Sequence, residues 1–144
     1  STAILLNQLK ELRYNGLILG TNNFSGPPIN EMALTALEGS IFTAPQFYSA
    51  SNNAKMIEFG NKVKGLYGKE AQWNTAVEYD AIYIVAKAIK NAKSYNGDEV
   101  RNALEQIGDF DGLAGKYRYS PNGEWVLELA VRTYKNGIQI PLDK

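Results

Sequence analysis

The chain has 144 residues, 44% of them apolar and 21% charged, enough for one α/β core of ordinary size and unlike a disordered segment. Fifteen basic residues balance fifteen acidic ones, which argues against nucleic acid, whose binding needs a basic stripe, and gives no reason to expect an anionic membrane surface. With no His and no Cys, the composition also excludes disulfides, thiol chemistry, the usual zinc and iron sites and His-dependent triads.

The first residues, Ser1-Thr2-Ala3-Ile4-Leu5-Leu6, lack the basic stretch and cleavage site of a signal peptide, and there is no initiator Met. We therefore expect a chain processed or cut from something longer. No apolar run approaches the ~20 residues that span a bilayer.

Leu5, Leu9 and Leu12 recur at helical spacing, and Asn15-Gly16 stops that helix. Leu17-Ile18-Leu19 reads as a short buried parallel strand, followed by a turn-rich loop from Gly20 to Pro28. A short helix around Glu31–Leu37 leads to a strand, Ser40–Ala44, that Pro45 ends. Met56, Phe59, Val63 and Leu66 share one face of the next helix, which Gly68 terminates. Thr75-Ala76-Val77-Glu78 has the capping-box pattern, with Thr75 as the expected cap. The helix behind it, through Val77, Ala81, Ile84, Val85, Ala88 and Ile89, is apolar nearly all round and is expected to be central. Asn96-Gly97-Asp98-Glu99 opens another helix, with Val100, Ala103, Leu104 and Ile107 on its inner face.

The last third changes period. Phe110–Gly115 reads as a turn and Lys116–Tyr119 as a strand. Ser120-Pro121-Asn122-Gly123 and Asn136-Gly137 are both hairpin signals. Trp125, Leu127, Leu129 and Val131 alternate as one face of a single strand. An α/β piece, a helical piece and antiparallel strands are hard to build into one compact domain in that order. The simpler reading is a chain that crosses between two lobes, at Pro45–Ser49 and again at Asp109–Gly115.

The ordered set of Leu37-Glu38-Gly39-Ser40-Ile41-Phe42, Phe59, Tyr79-Asp80-Ala81, Phe110-Asp111-Gly112, Gly115-Lys116-Tyr117 and Asn122-Gly123-Glu124 resembles type I periplasmic solute-binding proteins of the branched-chain amino-acid transport class. The likeness runs over essentially the whole chain, although no one motif in it is decisive. It implies a periplasmic-binding-protein-like α/β fold, part of a two-lobed Rossmann-like architecture with three crossovers and a ligand cleft. Since full members are more than twice as long, it also implies that the N-terminal half is missing. Residues 1–45 would be a second-lobe α/β segment, 46–110 a first-lobe helical segment, and 111–144 a hairpin segment returning to the second lobe.

Six residues are candidates for contact with a ligand. Asn22, Asn23 and Phe24 follow the end of an apolar strand, where open α/β sheets place ligands. The resemblance implies an acidic side chain near Asn22, to pair with the ammonium of an amino acid. An amide is the weaker partner there, so an amide, urea-like or carboxylate solute competes with an α-amino acid. Asn22 and Asn23 also suit turn geometry alone. Trp73 and Asn74 precede a cleft-facing helix, as pocket wall and donor or simply as packing and cap. Phe47, beside Tyr48, sits at the first proposed crossing. Asp109-x-Asp111-Gly112 lacks the later ligands of a calcium loop, and Asp80 reads as a first-turn helix charge.

No catalytic or cofactor motif is present, so we expect no enzyme, no cofactor and no metal. The expected role is the solute-binding component of an ABC importer, periplasmic or otherwise extracytoplasmic. Its partners would be a small solute, a membrane permease, and either the missing half or a second copy. The alternative is a ligand-sensing domain of the same fold in a receptor, which the lack of a spanning segment disfavours. Without its other half the helical segment is expected to expose apolar surface.

Overall fold

In the computed structural model, which describes residues 2–26, 29, 32–47 and 53–142, helix α1 (Thr2–Glu11) buries Ala3 and Leu6. It ends where Arg13 adopts a positive φ of 55°. The buried face is rotated from the expected leucine stripe, and Leu5 and Leu12 point to solvent. Strand β1 (Leu19–Gly20) pairs in parallel with β2 (Ile41–Ala44), Leu19 opposite Ile41. Parallel pairing is as expected, but burial is not: Leu17 is 61% and Leu19 69% exposed. As the edge strand of its sheet, β1 lacks the cover that parallel strands ordinarily have on both faces. Of the short helix expected around 31–37, the described part is helical at Met32 and Ala33 and tightens to a 3-10 turn over Leu34–Ala36. Glu31 lies outside the described residues.

β2 then pairs antiparallel with β6 (Ala130–Lys135), and β6 forms a hairpin with β7 (Ile138–Pro141), giving the order β1-β2-β6-β7. At the hairpin turn Asn136 and Gly137 both take positive φ, 53° and 74°, the geometry that Asn-Gly supplies at least cost. Phe24, Leu37, Phe42 and Tyr134 fill the core of this sheet with Ala3 and Leu6 of α1.

A second core lies under helices α2 (Ala54–Tyr67), α3 (Trp73–Asn91) and α4 (Gly97–Ile107). Asn53 caps α2 through the Lys55 and Met56 amides, and Gly68 closes it with φ 66°. Met56, Phe59 and Val63 pack inward as expected, while Leu66 is exposed. α3 starts before its expected cap. Thr75 lies within its first turn and accepts the Gln72 N–H at 3.4 Å. Asn96 caps α4, its side chain accepting the Glu99 N–H at 2.9 Å.

A three-stranded antiparallel sheet of β3 (Asp109–Asp111), β4 (Lys116–Tyr119) and β5 (Trp125–Leu127) completes this part. Two expectations fail here. The stretch 110–115 is not all turn, because Phe110 and Asp111 pair with Tyr117 and Lys116 and leave only 112–115 to reverse the chain. Nor do Trp125 and Val131 share one strand: β5 and β6 belong to different sheets, and the chain passes between them at Glu128-Leu129. β6 joins the first sheet from Ala130, while β4 and β5 are paired with β3.

Candidate functional site

The loop after β1 is built on an aromatic pin. Asn22–Ser25 form one 3-10 turn, closed by the Phe24 N–H on the Thr21 carbonyl and the Ser25 hydroxyl on the Asn22 carbonyl. The Phe24 ring is buried against Phe42, which stacks on Tyr134 at 5.4 Å. The Tyr134 hydroxyl donates to the Phe24 carbonyl at 2.7 Å. Gly20 permits this arrangement, since a Cβ there would sit 2.4 Å from the Phe24 ring. The turn thus holds Asn22 half-buried and Asn23 exposed at the end of the parallel pair, with Phe24 committed to the core beneath them.

The other candidates lie elsewhere. Phe47 is buried in the second core, edge-on to Phe59 at 5.7 Å. Trp73 begins α3 half-buried; Asn74 is exposed, and its side chain accepts the Thr75 N–H at 2.9 Å. Tyr48 is outside the described residues. The structure brings Asn22, Asn23 and Phe24 together and leaves Phe47, Trp73 and Asn74 on other elements. None of the six lines the open cavity of about 280 Å3 between α2, α3 and 110–113.

That cavity borders a residue read from the sequence as a first-turn helix charge. Asp80 lies well inside α3 and is 2% exposed. Its carboxylate accepts the backbone N–H groups of Leu113 and Ala114, both at 2.8 Å, and the Tyr117 hydroxyl at 3.1 Å. Burial, then the neighbouring carboxylate charge and hydrogen bond, push the Tyr117 hydroxyl well above the ordinary phenol range. It therefore stays protonated as a donor. Gly112 is required by proximity, because a Cβ there would meet Asp80 Oδ2 at 2.4 Å.

The same turn meets the crossing between the sheets. The Gln46 N–H donates to the Ala114 carbonyl at 2.6 Å. The buried Arg132 side chain donates from Nη2 to the Pro45 carbonyl at 2.9 Å and to that of Gln46 at 2.5 Å. Neither Asp80 nor Arg132 was among the expected site residues. The signal for Asp80 was an acid within the stripe Ala76, Asp80, Ile84, Ala88, which is the face that α3 buries.

Asp109 faces Lys116 at 3.2 Å and Arg118 at 3.4 Å. Among the described residues no group of acidic side chains is placed to hold a metal ion. No described helix is long and apolar enough to cross a membrane.

The model of the periplasmic binding protein family matches residues 1–137. The chain belongs to that family. Among solved structures, a leucine binding protein from Thermotoga maritima is similar with 27% identity and a TM-score of 0.81, over 98% of this chain and 40% of that one. A branched-chain amino acid transporter substrate binding protein from Streptococcus pneumoniae, in complex with isoleucine, aligns at 24% identity and TM-score 0.78, over 95% of this chain and 39% of that one. An extracellular ligand-binding receptor from Rhodopseudomonas palustris aligns at 22% identity and TM-score 0.73 over 98% and 44%. No curated protein sequence matches the chain. This periplasmic binding protein chain thus spans about 40% of the length of the structures it matches. These relatives are described as a leucine binding protein, a branched-chain amino acid transporter substrate binding protein and an extracellular ligand-binding receptor.

Proposed function

We propose that the chain is one part of a two-lobed solute-binding protein of an ABC importer, which captures a small amino-acid-like or related polar solute between its lobes. The observation that carries this reading is the family match over residues 1–137 together with the likeness to a leucine binding protein. In this reading α1 and the sheet β1-β2-β6-β7 belong to one lobe. The three helices and β3-β4-β5 belong to the other, and the rest of the longer protein completes both. Solute closes the lobes by binding the closed state more tightly, and a membrane permease reads that closure.

The turn Asn22–Ser25 supports the reading by its position after β1, where open α/β sheets place ligands. Asn22 and Asn23 would face the solute, while Trp73 and Asn74 are candidates from the first turn of α3. An amide at Asn22 holds an ammonium group less strongly than a carboxylate does, which widens the candidate solutes to amides and small carboxylates. Phe24 and Phe47 would serve the site from behind, by packing.

Calorimetric titration of the longer protein that contains this chain, with amino acids, primary amides and small carboxylates, tests the proposal. Saturable binding of one class is expected, and Asn22→Asp should shift preference toward solutes bearing an ammonium group. No heat with any class would overturn it.

A further inference from the structure

Resting on that two-lobed reading, we propose that Asp80 is a positioning residue for the crossing, fixing through the turn 112–115 how the two sheets sit relative to each other. The turn already closes itself, since the Gly112 N–H donates to the Gly115 carbonyl at 2.9 Å. A buried carboxylate is costly unless strong donors surround it, so Asp80 is not needed merely to form a turn. What it adds is a fixed place for Leu113 and Ala114 relative to α3, through two amide donors and one phenol.

From Ala114 the placement reaches the segments that follow β2 and precede β6. The Ala114 carbonyl accepts the Gln46 N–H, two residues beyond β2. Arg132, on the first sheet, donates to the Pro45 and Gln46 carbonyls of that same segment. The link from β5 to β6 lies on the other side of the turn: the Glu128 N–H donates to the Lys116 carbonyl at 2.8 Å. A Cβ added to Gly115 would sit 3.1 Å from the Glu128 carbonyl and 3.4 Å from the Gln46 side chain. Asp80, Ala114, Gln46 and Arg132 thus form one continuous line of contacts from α3 to the first sheet. A change in the angle between the sheets would strain these bonds.

The chain has no cysteine, so Lys90→Cys on α3 and Lys135→Cys on β6, both exposed positions, can carry a pair of nitroxide labels in the full 144-residue chain. Pulsed dipolar spectroscopy should give one narrow label distance. Asp80→Asn and, separately, Gln46→Pro should each widen that distribution roughly twofold, whereas Tyr117→Phe, which keeps both amide donors, should not. Amide exchange at Gln46 should rise roughly tenfold in Asp80→Asn. Where Asp80→Asn fails to fold, Gln46→Pro decides, since it removes the relay without touching the carboxylate. An unchanged distance in Gln46→Pro, or in a folded Asp80→Asn of lowered melting temperature, would reduce Asp80 to a local stabiliser and overturn the proposal. This measurement needs no solute, so its failure is distinct from a failure to bind one.

Discussion

Asp80 Oδ2 accepts the Ala114 N–H at 2.8 Å across thirty-four residues of sequence, joining the middle of α3 to the turn that touches the segments after β2 and before β6. Replacing this carboxylate leaves a buried amide, a half-buried amide and a buried phenol without their acceptor. Asp80→Ala is expected to destabilise the chain by about 3 kcal/mol, the cost of orphaned buried donors at a charged acceptor. Thermal unfolding should show it as a fall of roughly 10 °C for a domain of this size. A change within the error of the melt would mean that water replaces the carboxylate freely.

Gly112→Ala tests the same site without removing charge. The new Cβ would lie 2.4 Å from Asp80 Oδ2 and 2.8 Å from the Tyr117 ring, so the side chains or the turn must move. The expected loss is about 1–3 kcal/mol, as for overpacking elsewhere. In the double variant with Asp80→Ala the loss should be less than the two single losses combined, because the clash with the carboxylate is gone and only that with Tyr117 remains. Additive losses in urea unfolding would place the strain elsewhere.

Tyr117 gives the site a pH signature. Its hydroxyl titrates above the ordinary phenol value in the folded chain because of burial and Asp80. The folded state therefore keeps a proton that the unfolded chain releases near pH 10. Stability from this group is fully present below about pH 10 and falls above it, by at most ~1.4 kcal/mol per pH unit. The other eight of the nine tyrosines remain in a Tyr117→Phe reference. The difference between wild type and Tyr117→Phe should thus narrow as pH rises past 10 in denaturant melts. A gap independent of pH between 9 and 11.5 would contradict the assignment.

The elements were legible where local chemistry decides them. Asn96, Gly68 and the Asn136-Gly137 turn all act through neighbouring backbone, which sequence order displays. Long-range pairing was not legible. The alternation from Trp125 to Val131 is continuous in sequence, yet β4 claims its first half and β2 its second. The buried face of α3 was misread for a related reason: an aspartate inside it breaks the apolar pattern, and its donors lie more than thirty residues away. Of the candidate site, the turn Asn22–Ser25 was visible from its composition. The burial of Phe24 and Phe47 depended on rings that only folding brings together.

Glu38, just before β2, grips the turn between β6 and β7. Its carboxylate accepts the Asn136 N–H at 2.8 Å and the Gly137 N–H at 3.2 Å, so the hairpin turn is held from outside as well as by its own φ angles. The site is exposed, and Glu38→Ala is expected to cost only about 1 kcal/mol. Amide exchange at Asn136 and Gly137 should quicken while that at Ala114 stays unchanged. Equal effects at both places would show that the two sheets open as one unit.

The outer face of α3 yields the last prediction. Ile82 is 70% exposed, and Tyr83, Val85 and Ile89 beside it are exposed as well, on a helix whose apolar composition suggested burial on all sides. A patch of this kind on an isolated chain binds hydrophobic dye and favours self-association. Ile82→Lys with Ile89→Lys should lower dye fluorescence and keep the chain monomeric at high concentration in sedimentation experiments. Within the 144 residues the change in stability should stay within about 0.5 kcal/mol per site, as for exposed positions generally. In a longer protein whose other segments cover α3, the same pair should instead cost about 2 kcal/mol or more, because each lysine would be buried or its cover displaced. Equal effects in the short and the long protein would show that α3 faces solvent in both.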